Sequence, residues 1–255
     1  MERQHMNRER RHSQRAGSRN RTNPQRQGFR EERAKNREDE PTLPEDINVR
    51  DLDPMVLQDL RVLSKQNAES VAKHMIMAAT LMDEDPELAL RHARAAKNRA
   101  GRVAVARETN GIAAYRAGEW KEALSELRAA RRMSGGPGLL ALMADCERGL
   151  GRPNKALDIG RSEEAAQLDK ESAIELGIVL AGARQDLEQY DAAVLTLERL
   201  EPSMTDTGLT ALRLAYAYAD ALEAAGRKEE ARPWFERVAA VDEEGFFDAQ
   251  ERLEQ

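Results

Sequence analysis

The chain has 255 residues, of which 40% are hydrophobic, only 4% aromatic and 34% charged, and it carries a formal net charge of −6. Ala, Leu, Glu and Arg dominate, a set that favours close helix contacts over stacked β-branched strands, so the expected protein is almost entirely helical. The amino terminus lacks an apolar signal core, and no run approaches the about 20 apolar residues that cross a bilayer. A single cysteine, Cys146, and the lack of a spaced Cys/His set argue against an intramolecular disulfide and a structural zinc. The expected setting is the cytoplasm, without membrane contact.

The net charge conceals a division. Residues 1–30 hold nine Arg against two Glu, a balance of +7 that leaves −13 on the rest. Residues 1–46 are rich in Arg, Gln, Asn and Ser, with Phe29 as the one aromatic. So little apolar surface does not offset the entropy of ordering, and a disordered arm is expected, closed by Pro-Thr-Leu-Pro at 41–44. Its arginines, among them Arg8, Arg10, Arg11, Arg15, Arg19, Arg21 and Arg26, are suited to neutralising phosphates, which makes RNA the arm's candidate ligand.

The ordered body is expected over 47–255. Asp53 before Pro54 reads as an N-cap followed by proline in the first helical turn. Val56, Leu57, Leu60 and Leu63 then share one face of a short capping helix. From residue 70 a corner recurs: Gly-Glu-Trp at 118–120 leads into Ala123, and equivalent corners lead into Ala89, Ala156, Ala193 and Ala231. These anchors stand 34, 33, 37 and 38 residues apart. Four residues after them come Ala93, Leu127, Gly160, Leu197 and Phe235, on the same helical stripe. Twelve before them stand Met77, Gly111, Ala144, Ala181 and Ala219, four of which are small enough for close helix approach.

The pattern predicts five helical hairpins, near 70–103, 104–136, 137–173, 174–211 and 212–242, which must stack because each exposes an apolar face that only its neighbour buries. Gly160 is expected to weaken its helix, and the joints near 160–173 and 201–209 are expected to be irregular. Over 243–255, Phe246, Ala249 and Leu253 at helical spacing predict a C-terminal cap.

Catalytic patterns are not found. His5 and His12 lie in the arm, while His74 and His92 fall on different helices of the first unit without metal-ligand spacing, which predicts surface or half-buried positions. Cys146 has no local His or Lys to activate it and reads as a small buried hydrophobe. The Ser-Gly-Gly-Pro-Gly stretch at 134–138 lacks the Lys-Ser/Thr of a phosphate loop and reads as a turn between units. Neither a cofactor nor a metal nor enzymatic activity is expected.

Period and pattern resemble the tetratricopeptide repeat, most clearly over residues 110–133 and in all over about 70–242. The Ala/Arg-heavy composition resembles that of repeat proteins from high-GC bacteria. The family resemblance implies an all-α superhelix, a right-handed solenoid of about five hairpins between capping helices, whose first helices line a concave groove for a protein or peptide. On that mapping the groove takes His74, Ala78 and Leu81 from unit one; Glu108, Ile112, Tyr115 and Arg116 from unit two; and Asp145 and Arg148 from unit three. Ile178, Gln185 and Asp186 follow, then Arg213, Tyr216, Asp220 and Glu223, so the groove grows more acidic toward its C-terminal end.

Tyr115 and Tyr216 stand out, because a rigid amphipathic ring gives contact area at low entropic cost. The Lys/Arg/Asn clamp with which some members hold a carboxylate is not matched: His74, Ala78, Thr109, Gly138 and Leu142 stand in those places. The expected function is a non-catalytic interaction scaffold. The alternative is an RNA-associated adaptor in which the arm contacts nucleic acid and the solenoid recruits a protein; homodimerisation through an exposed end is a further expectation to test.

Overall fold

The computed structural model describes Glu31, Arg37 and residues 39–255 other than Glu244 and Gln255. The arm's arginines up to Arg30 lie outside the described residues. Among those described, the regular elements are helices. Asp53 accepts the Met55 N–H at 2.6 Å and so starts α1 (Pro54–Asp59), which a 3-10 turn extends over Leu60–Val62.

Five hairpins follow: α2 (Lys65–Thr80) with α3 (Pro86–Arg99), α4 (Ala104–Arg116) with α5 (Trp120–Ser134), α6 (Leu140–Gly149) with α7 (Pro153–Gly160), α8 (Lys170–Gln185) with α9 (Tyr190–Glu198), and α10 (Leu209–Ala224) with α11 (Lys228–Ala239). A short α12 (Ala249–Leu253) ends the described chain. Asp85 caps α3 through the Leu88 N–H, and Asp169 caps α8 through the Ser172 N–H.

The recurring corner has one physical form. In four hairpins the first helix ends on a residue in the left-handed region, and the next residue donates its N–H five residues back: Glu119 to Ala114, Arg152 to Glu147, Gln189 to Arg184 and Arg227 to Leu222. The left-handed residue is Gly118, Gly151 and Gly226 in three corners but Glu188, at φ 59°, in the fourth. A side chain costs about 1 kcal/mol or more in that conformation, so Glu188→Gly is expected to raise unfolding stability by about 1 kcal/mol, read as a shift in the urea midpoint at unchanged slope.

Packing follows the anchors. Ala89, Ala123, Ala156 and Ala193 are fully buried and Ala231 is 2% exposed. Successive helices from α2 to α12 pack in sequence, and the first helices also touch one another, α2 on α4, α4 on α6, α6 on α8 and α8 on α10. The core therefore runs along the array in three consecutive clusters, around Leu60 and Met75, around Leu124 and Met143, and around Leu197 and Leu222.

Two local expectations are corrected, for Phe246 and for Glu40, and two other residues acquire a physical account. Gly160 ends the eight-residue α7, as a weak helix position should, and a Cβ there would come within 2.3 Å of Leu180 Cδ1, so its small size also admits α8. Glu147 is 1% exposed, with Arg128 donating to its carboxylate at 2.8 Å. The cap uses Ala249, Phe247 and Leu253. Phe246 is 64% exposed, because Asp242 accepts the N–H groups of Phe246 and Phe247 and the resulting turn ends before α12 begins. Finally, Glu40, assigned to the arm, is tied to Arg99 by a bidentate contact of 2.9 Å and 2.5 Å.

Candidate functional site

The face where the first helices meet carries most of the sequence-mapped groove residues. Two of them are not on a free surface, and a third is partly covered. His74 and Ala78 are buried, because both turn from α2 toward α3 and the core, and Ile112 packs partly buried against the same core. Leu81 is half-buried at the end of α2, and Ile178 half-buried on α8. Glu108 is half-buried on α4, where desolvation raises its carboxyl above the usual carboxylate range. Arg116 is exposed and lies 3.5 Å from Asp83.

The remaining residues are joined into bridges between units. Tyr115 donates its hydroxyl to Asp145 at 2.6 Å, and Arg148 donates to Asp145 at 2.9 Å and to Asp186 at 2.8 Å and 3.1 Å. One guanidinium thus links α6 to the end of α8, and through Asp145 to α4. Gln185 donates to Asp220 at 3.2 Å, and Arg213 pairs with Glu175 at 2.7 Å. At the C-terminal end Arg252 of α12 donates to Asp220 at 2.9 Å and to Glu223 at 2.5 Å, so the cap itself offsets part of the negative charge at the acidic end of the face. Tyr216 donates to Asp248, stacks on Phe247 and meets Phe235 edge-on.

These partners set the protonation behaviour. Burial, then the hydrogen bond and charge of Asp145, push the Tyr115 hydroxyl well above its ordinary value, and burial with Asp248 pushes Tyr216 up to about 12. Desolvation works against the charge on Arg148, yet its bonds to Asp186 and Asp145 hold it firmly protonated. The Cys146 thiol, buried beside Asp145 and Glu147, is pushed up to about 12 and stays protonated at neutral pH.

Between α5, α6 and α8 opens a cleft of about 490 Å³ lined by Trp120, Asp145, Arg148, Gly149, Gly151, Pro153 and Asp186. Two glycines shape it. A Cβ on Gly149 would fall 2.8 Å from the Trp120 ring, and one on Gly182 would fall 2.6 Å from the Arg148 guanidinium carbon. Trp120 also meets Tyr115 edge-on at 5.3 Å. The cleft therefore presents an indole, a guanidinium fixed between two carboxylates and a net single negative charge. That combination can receive a side chain with a flat or cationic end.

Sequence reasoning placed Asp145, Arg148 and Asp186 on one face but passed over Trp120 and Gly149. In the sequence Trp120 reads only as part of a corner; the signal that marks it is Gly149, the last residue of α6, where the Trp120 ring leaves no room for a Cβ. Among the described residues there is no cluster of three or more His, Cys, Asp or Glu placed to hold a metal ion, and no helix long and apolar enough to cross a membrane. Comparison with protein-family models, curated proteins and solved structures finds no match for this chain.

Proposed function

We propose that the protein is a non-catalytic scaffold, a tetratricopeptide-like solenoid that holds a protein or peptide segment along the face of its first helices, centred on the cleft at Trp120 and Arg148. The observation that supports this reading is the cleft itself: an aromatic side wall and a pre-positioned guanidinium–carboxylate set lie where α4, α6 and α8 come together. Pre-positioned side chains lose little entropy on binding, and an indole in a concave wall is the kind of group that dominates interface energy. A partner would pack on Trp120 while the Arg148 bridges stay closed.

The charge split supports a second reading, in which the arm, with its balance of +7 over residues 1–30, brings nucleic acid to the scaffold. Affinity capture separates the two. Tagged full-length protein, a chain of residues 39–255 that retains Glu40, and full-length Trp120→Ala are compared with and without nuclease. The scaffold reading expects a protein that survives nuclease and removal of the arm and falls about tenfold in yield with Trp120→Ala. Retention that needs both the arm and intact nucleic acid would replace it with the adaptor reading.

A further inference from the structure

His74 and His92 are 18 residues apart in sequence yet meet across the first hairpin, Nδ1 to Nδ1 at 3.0 Å, and each is 1% exposed. On the far side of His74, its Nε2 faces a Glu40 oxygen at 3.7 Å, and the same carboxylate takes both prongs of Arg99. Glu40 is itself nearly enclosed, with 8% of its side chain exposed. Further along the chain, Val49 and Leu52 lie partly buried against the cluster of Leu60, Val71 and Met75. The stretch from Glu40 to Leu52 thus forms a strap over the first hairpin, fastened at one end by a charged group and at the other by two apolar side chains.

One neutral arrangement fits both the contact between the rings and the carboxylate facing His74. His92 carries its proton on Nδ1 and donates it to the bare Nδ1 of His74, whose own proton sits on Nε2 and points at Glu40. A second proton on His74 would place N–H against N–H at 3.0 Å and force the contact apart. Protonating His92 at Nε2 instead adds a buried cation. The surrounding charges oppose either step: Arg99 and Arg91 come from α3, and Glu40, the carboxylate that faces His74, is already held by Arg99. Lys73 on α2 is turned to Glu69, and Arg107 on α4 to Glu126 and the Gly101 carbonyl.

We propose that Glu40, His74, His92 and Arg99 form a proton-sensitive latch that holds residues 40–52 on the first hairpin when both histidines are neutral and releases them when the pair takes up a proton. The helices flanking the pair are fastened by Val71, Ala72, Ala93 and Ala96, all buried, whereas the 3-10 turn at Val49–Asp51 contributes no buried residue. Strain at the pair is therefore relieved by lifting the strap, which hydrates His74, and not by parting α2 from α3.

The direction in pH follows from linkage. Burial first, then His92 and Arg99, lower His74 from its ordinary 6.5 to about 4, and burial then Arg91 lower His92. The released state binds more protons between those values, so attachment of the strap is complete above about pH 6.5 and is lost as pH falls toward 4.

Hydrogen exchange on the full-length chain tests this, comparing pH 7.5 with pH 5.0 after correction for the intrinsic exchange rate. Protection of residues 40–52 is expected to fall about tenfold or more while that of α10 is unchanged. In the double variant His74→Asn, His92→Gln the ratio between the two pH values should be close to one. The wild-type imidazole titration, followed by NMR, should place its midpoint inside the same window, which decides the matter if the double variant does not fold. Protection that stays constant or rises at pH 5.0, that falls equally in the double variant, or that falls together with α10 would overturn the latch.

Discussion

Gly111→Val is expected to destabilise the protein by about 2–3 kcal/mol, although glycine in the middle of a helix is ordinarily the weaker residue. The reason is the approach of α5. A Cβ on Gly111 would come within 2.7 Å of both Leu127 Cγ and Leu127 Cδ2 and 3.2 Å from the Leu127 backbone nitrogen. The side chain can swing aside, but the backbone cannot, so the two helices of the second hairpin must separate. Leu127→Ala alone removes a core side chain and should cost about 2–5 kcal/mol.

The double variant should cost less than the sum of the two, because the added valine occupies space that the leucine vacated. A favourable coupling of about 1 kcal/mol or more from urea unfolding is the expected result. Additive costs would mean that Gly111 is not in the helix contact that sets the spacing of the repeats.

The second large effect concerns Glu147. This carboxylate is 1% exposed; one oxygen receives Arg128 at 2.8 Å, and the other has no hydrogen bond, with Arg152 at 3.6 Å. Arg128→Ala removes the closer cation and leaves a buried charge poorly compensated, for an expected loss of about 3 kcal/mol. Glu147→Leu removes the charge instead. The same place, four residues before the left-handed corner residue, holds Ala114 in the second hairpin and Leu222 in the fifth, both buried. Leucine is therefore expected to be neutral or to stabilise by about 1 kcal/mol or more. Thermal or urea unfolding of the two single variants should move in different directions relative to each other; equal losses would show that Glu147 contributes net stability.

Much of the fold could be read from residues whose role is steric. The anchors Ala89, Ala123, Ala156, Ala193 and Ala231 located the second helix of each hairpin, because a small residue repeated at a fixed corner has few other uses. The polar contacts were not readable in the same way. Asp145 and Arg148 were visible as neighbours on one helix, but the bond from Arg148 to Asp186 spans 38 residues and depends on how α6 sits against α8. His74 and His92 share no motif spacing, and only the hairpin brings them together. Phe246 shows the opposite failure: helical spacing to Ala249 suggested a buried contact, but Asp242 turns the backbone before the helix starts, so the period does not apply.

Photo-cross-linking from the surface tests the scaffold reading most directly. A photoreactive residue is placed at Arg116, exposed at the end of α4, and in a second version at Arg132, exposed on α5. A discrete protein adduct from position 116 that survives nuclease, with none from position 132, is the result the proposed face predicts. Adducts from position 132 alone, or adducts that vanish with nuclease, would contradict it.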